Sequence, residues 1–210
     1  MKKKIYKSVL KPVLRLHNLS YKLAGRLAIK TEGGLHPKHR LINYHQFFLE
    51  NVNMGDVVLD IGCGNGALTF DLAKKAKKVI GVDFNERSIQ VAKERYSAPN
   101  IEYIVSDVAK HNFTQEFDAI VLSNVLEHIE DRVAFLKKLR GLARKILVRV
   151  PMVNRDWITL YKKELGVGYK LDKTHYVEYT LESFKNEIEK AGYKMKNYSI
   201  QFGEIWAVIY

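Results

Sequence analysis

The chain has 210 residues, 47% hydrophobic and 28% charged, enough apolar content for one α/β domain plus an appendage. Cys63 is the single cysteine, which excludes an internal disulfide framework and a multi-cysteine zinc site. The formal charge of +12 is uneven: residues 1–30 hold nine Lys or Arg and no Asp or Glu, leaving +3 elsewhere, so a membrane or nucleic-acid contact belongs to that segment.

Within residues 1–30, Lys7, Lys11, Arg15, Lys22, Arg26 and Lys30 gather on one side at about 100° per residue. Ile5, Val9, Val13, Leu16, Leu23 and Leu27 fall on the other. Pro12 and Gly25 allow a division into two shorter helices. The pattern fits either a helix packed on the domain with a solvated basic face or an interfacial helix on anionic lipid. Gly33-Gly34-Leu35-His36-Pro37 marks a boundary, and a second helix is expected over about His39 to Asn51. His39 and His45, six apart, would face different sides of it, so these two and His36 read as loop and surface histidines. No apolar run reaches the roughly 18 residues of a spanning helix, and no signal-peptide core is evident. The expected location is cytoplasmic, with peripheral contact at the inner membrane face through residues 1–30.

Val57 to Gly66 reads Val-Val-Leu-Asp-Ile-Gly-Cys-Gly-Asn-Gly, an apolar run ending in an acid and then three alternate glycines. A helix, Ala67 to Ala76, follows, and Val79-Ile80-Gly81-Val82-Asp83 is a second apolar run ending in an acid. Glycines let backbone N–H groups approach a ligand, and an acid about twenty residues on would meet ribose hydroxyls. Asp60 at the loop mouth would repel a pyrophosphate but suits a ligand bearing an ammonium and a sulfonium. Cys63 reads as a small residue that fits the loop. Asn85 caps an expected helix to Tyr96; Ile101 to Val105 is a third strand, with Asp107 just beyond its carboxyl end. Phe117 to Leu122 is the fourth strand, running into Ser123-Asn124-Val125-Leu126-Glu127-His128. Asp131 caps a helix over Arg132–Leu139, and Lys145 to Val150 is the fifth strand. Met152 to Thr180 is a long irregular insertion, of the kind that tends to be functional. Thr180 caps a helix over Leu181 to Ala191, and two strands joined around Gly203 form a terminal hairpin.

On the Asp60–Gly66 loop, Asp83, Asp107 and Ser123–His128, the sequence resembles the class I S-adenosylmethionine-dependent methyltransferases, and within them those acting on small molecules and cell-surface glycans. The resemblance implies a Rossmann-like α/β fold: a seven-stranded, mostly parallel sheet with an antiparallel last strand and helices on both faces, here with a helical N-terminal extension. It implies S-adenosylmethionine as cofactor. The residues expected to hold it are Asp60, Gly62, Cys63, Gly64 and Gly66 of the loop, Asp83 with Phe84 at the ribose, Asp107 with Val108 at the adenine, and Ser123 with Asn124 beside the methionine part. Residues 1–51 are then a basic extension and lid, with Tyr44 and His36 as candidate lid contacts, and residues 52–210 the methyltransferase domain, with its substrate wall at 152–180. Asp172 to Thr180 resembles a segment of the glycan and lipid methyltransferases. The acceptor is expected to be a hydroxyl of a small molecule or glycan, lipid-linked forms included. A sugar hydroxyl needs a general base: His175 is the first candidate and His128 its competitor. Asp172 would either orient His175 or make a loop hydrogen bond. No metal is expected. The alternatives are an RNA methyltransferase using the basic N-terminus on phosphates, and a catalytically idle assembly partner with a cofactor fold.

Overall fold

The computed structural model describes residues 2–34, 36–108, 110, 111, 113 and 115–210, with only the backbone for 2–5 and 7. Leu35 of the expected boundary and the side chains of Ile5 and Lys7 therefore lie outside the described residues.

The strands are β1 (Val57–Ile61), β2 (Lys78–Asp83), β3 (Ile101–Val105), β4 (Phe117–Ser123), β5 (Ala143–Pro151), β6 (Met195–Gln201) and β7 (Glu204–Ile209). They form one sheet in the order β3-β2-β1-β4-β5-β7-β6. The β1, β2, β3, β4 and β5 pairings are parallel, while β7 runs antiparallel to both β5 and β6. This is the seven-stranded sheet with an antiparallel last strand that the sequence implies. The reversal at β6–β7 is made by Phe202 and Gly203, both at positive φ.

Alternate residues of each central strand feed opposite faces, because strand side chains repeat with period two. Leu59, Ile61, Ile120, Leu122, Val148 and Val150 enter one core, against α6 (Arg132–Leu139) and α8 (Leu181–Lys190). Val58, Val79, Ala119, Val121, Leu147 and Val208 enter the other, with Tyr44, Phe48 and Leu72. Both α6 and α8 start where expected: Asp131 accepts from Ala134 N–H, and Thr180 and Ser183 form a reciprocal capping box. Asn85 likewise caps α5 (Glu86–Arg95), while α4 (Ala67–Ala73) ends short of the expected Ala76.

Residues 2–31 form one helix, α1, that runs through Pro12, so the division the sequence allows is not made. Two expectations at the level of elements change. The single helix expected over 39–51 is two, α2 (Lys38–Ile42) and α3 (Tyr44–Glu50), broken at Asn43 with φ 44°. Asparagine tolerates this left-handed conformation better than most residues. The insertion after β5 contains a further helix, α7 (Trp157–Glu164), capped by Asp156 through Thr159 N–H.

The break at Asn43 also overturns the reading of the histidines as separate surface groups. It folds His39, Tyr44 and His45 together: Tyr44 Oη lies 2.9 Å from His39 Nδ1, and His45 Nδ1 lies 2.6 Å from Asp71 Oδ2. Burial first, then His45, Lys38 and Arg149, push the His39 pKa down to about 4. Helix α1 is joined to the body through Leu14, which is buried, and through Asn18, whose Nδ2 donates to the Gly168 carbonyl at 2.6 Å. Lys162 Nζ completes the joint, donating to Asn18 Oδ1 at 2.7 Å beside His17. Among the described residues, no helix is long and apolar enough to cross a membrane.

Candidate active site

The carboxyl ends of β1, β2 and β4 lie side by side, Ile61 paired with Val82 and with Leu122. This is the edge where open α/β sheets receive ligands. Gly62, Gly64 and Gly66 all have positive φ, between 53° and 84°. A Cβ on Gly62 would sit 2.7 Å from Val125 Cγ2, and one on Gly66 would sit 2.5 Å from Tyr103 Oη. Gly64 alone of the three has nothing within 4 Å, so the loop is packed at both ends and open in the middle. The loop is anchored by Gly62 and Cys63 N–H groups, which donate to the Val82 carbonyl at 2.7 and 3.1 Å. Burial of Cys63 pushes its thiol well above the ordinary range, in keeping with a packing role rather than a nucleophilic one.

Asp83 is half-buried at the end of β2, its Oδ2 accepting from Gly64 N–H at 2.9 Å and its Oδ1 from Asn85 N–H at 2.8 Å. Each carboxylate oxygen keeps a lone pair for a further donor. Phe84 beside it is 80% exposed. Asp107 is exposed past β3 within 3.4 Å of Lys110, and Val108 is half-buried. Asp60 differs from the sequence reading: rather than facing the loop mouth it is buried beneath the loop, accepting from Thr69 Oγ1 at 2.6 Å. Burial raises its pKa to about 7; the Thr69 hydrogen bond opposes the rise and the charge of Asp83 adds to it.

Beyond β4, Asn124 takes φ 57° and turns the chain into a short 3-10 segment, Leu126–His128. Asn124 Nδ2 donates to Glu127 Oε1 at 2.8 Å. Glu127 is fully buried, and its Oε2 is the one buried side-chain oxygen or nitrogen without a partner among the described residues. Burial pushes the Glu127 carboxyl up to about 7. The Glu127 carbonyl accepts from Tyr176 N–H at 2.7 Å, which brings the insertion over this turn. His128 and His175 then meet edge to face with ring centroids 4.7 Å apart.

His175 Nδ1 lies 3.1 Å from Glu178 Oε1, leaving Nε2 unengaged by that bond. Glu178 is in turn held by Arg155 Nη1 and Leu171 N–H. Burial acts to raise the Glu178 pKa, but hydrogen bonds from His175, Leu171 and Arg155 outweigh it and keep the carboxyl below its ordinary range. Of the two roles weighed for Asp172, orienting His175 or a loop hydrogen bond, it takes the second. Its Oδ1 accepts from Thr174 N–H and Oγ1–H, both at 2.8 Å, and Thr174 Oγ1 lies 2.9 Å from His128 Nδ1. His128 is pushed below the ordinary histidine pKa by burial and then by His175. Sequence reasoning missed Glu127, Glu178 and the buried Arg149–Glu204 pair, bidentate at 2.6 and 2.8 Å with Tyr44 stacked 3.8 Å from the guanidinium. Glu127 and Glu178 stood within quoted motifs, but nothing in their spacing marks an orphaned oxygen or a contact with histidine. The donor atoms of Glu127, His128 and His175 all lie within 4.8 Å of one another, a set that can move a proton or hold a divalent ion.

Residues 58–145 match the family described as methyltransferase domain. Over those residues, from β1 into β5, the chain is similar to a methyltransferase domain. It is 32% identical over 117 residues to the ubiquinone biosynthesis O-methyltransferase of Bradyrhizobium diazoefficiens, covering 54% of this chain and 46% of that one. It is 37% identical over 92 residues to N-methyltransferase 4 of Papaver somniferum, covering 40% and 26%. The chain thus spans about half or less of the length of these curated relatives. Among solved structures, the magnesium protoporphyrin IX methyltransferase of Synechocystis PCC 6803, with bound SAH, superposes with a TM-score of 0.63 at 19% identity over 82% of each chain. That likeness establishes the fold of the methyltransferase domain.

Proposed function

We propose that the protein binds S-adenosylmethionine at the Gly62–Gly66 loop and Asp83 and catalyses methyl transfer to a hydroxyl oxygen of a small-molecule or glycan acceptor. The observation that carries this reading is the packing of Val125 onto Gly62, which sets the segment leading into His128 directly against the glycine loop. The open space at Gly64 and the free lone pairs of Asp83 suit a ribose-bearing ligand. Phe84, Asp107 and Val108 would flank the adenine, and Ser123 and Asn124 the methionine part. Asp60 and Cys63 would act by shaping the loop from beneath.

When bound, the cofactor supplies a methyl group on a sulfonium sulfur, an excellent leaving group, so the protein's tasks are to position the acceptor and remove its proton. His175 takes that proton at Nε2, while Glu178 accepts from Nδ1–H and holds the ring in that tautomer. His128 is the competing base. Residues 1–51 form the extension and lid, and 52–210 the methyltransferase domain. Helix α1 turns Val9, Val13, Leu16, Leu19, Leu23 and Leu27 outward, each more than half exposed, with Lys11, Arg15, Lys22, Arg26 and Lys30 along one flank. An anionic lipid surface complements both features, and such docking suits a lipid-linked acceptor.

The test is turnover of S-adenosylmethionine against fractionated lipid-linked glycans, small metabolites and RNA, with mass analysis of the product. A methyl ether on a glycan or metabolite is expected. Methylation confined to RNA would replace the acceptor class, and absence of cofactor binding by calorimetry would leave the assembly-partner reading. Turnover is expected to survive a chelator; its loss would reassign Glu127, His128 and His175 to a divalent ion.

A further inference from the structure

Between α1 and α7 lies a cleft of about 1300 Å³, larger than the roughly 300–1000 Å³ of ordinary small-ligand sites. Its lining includes eight Lys or Arg side chains, among them Arg15 and Lys22 from α1, Lys38 before the glycine-loop strand, and Lys173 from the insertion. Three acidic residues line it, and each is committed elsewhere. Asp156 caps α7, Asp172 holds Thr174, and Glu204 is paired with Arg149. Arg155, Lys162 and Lys170 are likewise engaged, on Glu178, on Asn18 and on the His175 carbonyl. Arg15, Lys22, Lys38 and Lys173 have no ion-pair partner among the described residues. Their charges converge on the cavity without internal compensation. Lys38 is held below the ordinary lysine range by burial and then by Arg149, with Glu204 and Glu127 acting the other way.

We propose that this cleft binds a phosphate group, a phosphomonoester or a diphosphate, carried by the acceptor. Phosphate oxygens accept several charge-assisted hydrogen bonds at once, which a neutral sugar cannot do, and a cleft lined by one sign of charge concentrates such ligands. The position is consistent with this. Asp172 on the lining is one hydrogen bond from Thr174, which contacts His128, and Lys170 grips the His175 backbone. A phosphate among the four free cations would therefore lie between α1 and the wall that supports both histidines. Because α1 forms the opposite wall, the phosphate of a lipid-linked acceptor would enter alongside the helix that faces the bilayer. This inference rests on the reading of the site as a methyltransferase centre whose acceptor arrives through this cleft.

The experiment titrates the full chain with inorganic pyrophosphate by calorimetry, and compares it with the Arg15→Gln/Lys22→Gln/Lys173→Gln variant. All three side chains are exposed, so folding is expected to be unchanged by thermal melting. Saturable binding is expected in the wild type, weakened at least tenfold in the variant and by added salt, with S-adenosylmethionine affinity the same in both. No binding, or equal binding by the two proteins, overturns the proposal. Failure of S-adenosylmethionine to bind while pyrophosphate still does would instead remove the methyltransferase reading. Two further arms separate the sources of phosphate, a soluble sugar phosphate and phosphatidylcholine vesicles containing a lipid diphosphate; preferential capture of either through the three cations supports the assignment. A short RNA bound more tightly than both through the same cations would overturn it in favour of a nucleic-acid acceptor.

Discussion

On the cofactor side of the sheet edge, Gly64 and Asp83 stand 19 residues apart and are joined by a backbone N–H, and the loop is pinned to the neighbouring strand by Gly62 and Cys63 N–H groups. On the acceptor side, Thr174 meets His128 across 46 residues, Arg149 meets Glu204 across 55, and Lys162 meets His17 across 145. The first region is made by two short stretches held together largely through backbone N–H groups, so a short pattern specifies it. The second is made by side chains from separate elements, and it exists only once β4, β5, β7, α1 and the insertion have come together. A site of the first kind tolerates change outside its motif, whereas a site of the second kind depends on distant joints.

The acceptor side is expected to give the larger effects. His175→Ala should lower turnover by about 10²–10⁴-fold with S-adenosylmethionine affinity nearly intact, measured by single-turnover kinetics and calorimetry. A loss below tenfold would transfer the role to His128. Arg149→Ala leaves Glu204 without its ion-pair partner in a largely buried setting, with only Trp206 Nε1–H among the described residues still donating to it, and is expected to cost about 3–5 kcal/mol in urea denaturation. A cost near zero would mean that this joint does not support the region.

On the cofactor side, Asp83→Ala is expected to weaken S-adenosylmethionine binding by about 1.5–3 kcal/mol, the range for a hydrogen bond to a charged group, with little effect on the melting temperature. Unchanged affinity would remove the ribose assignment. A further effect is a pH slope. The folded-state pKa of Asp60 is raised from 3.8 to about 7, so the native state holds this proton more tightly than the unfolded chain. Its contribution is fully present below about pH 4 and is lost as pH rises through 7. Asp60→Asn should flatten the decline in stability between pH 4 and 7, read from denaturation midpoints; an unaltered slope would show that Asp60 is ionised in the fold.

This contrast also accounts for how much was legible in the sequence. Val57 to Gly66, Asp83 and the caps Asn85, Asp131 and Thr180 are local signals, and the sheet order, caps and positive-φ glycines follow them. Asp60 lies near the end of its strand as expected, but its burial against Thr69 is not legible, because alternation along β1 shows that it points away from its neighbours, not what covers it. The pairing of Glu178 rather than Asp172 with His175 depends on how the insertion folds back onto the 3-10 turn, and no spacing rule fixes that. Likewise, one left-handed residue, Asn43, was enough to bring together histidines that a continuous helix would have kept apart.

The joint between α1 and α7 has a consequence for the order in which the molecule is made. Asn18 and Lys162 are the partners of a loop closure spanning 144 residues, which encloses most of the sheet. A contact of such sequence separation is reached only after the chain between its ends has become compact, because closing it earlier costs ordering entropy with nothing yet to offset it. Helix α1 is synthesised before α7 and can make this joint only after α7 has formed. Throughout synthesis its apolar stripe and its five flanking cations lack the body that later holds the helix in place. The cleft that α1 walls therefore takes shape only after the chain between Asn18 and Lys162 has become compact.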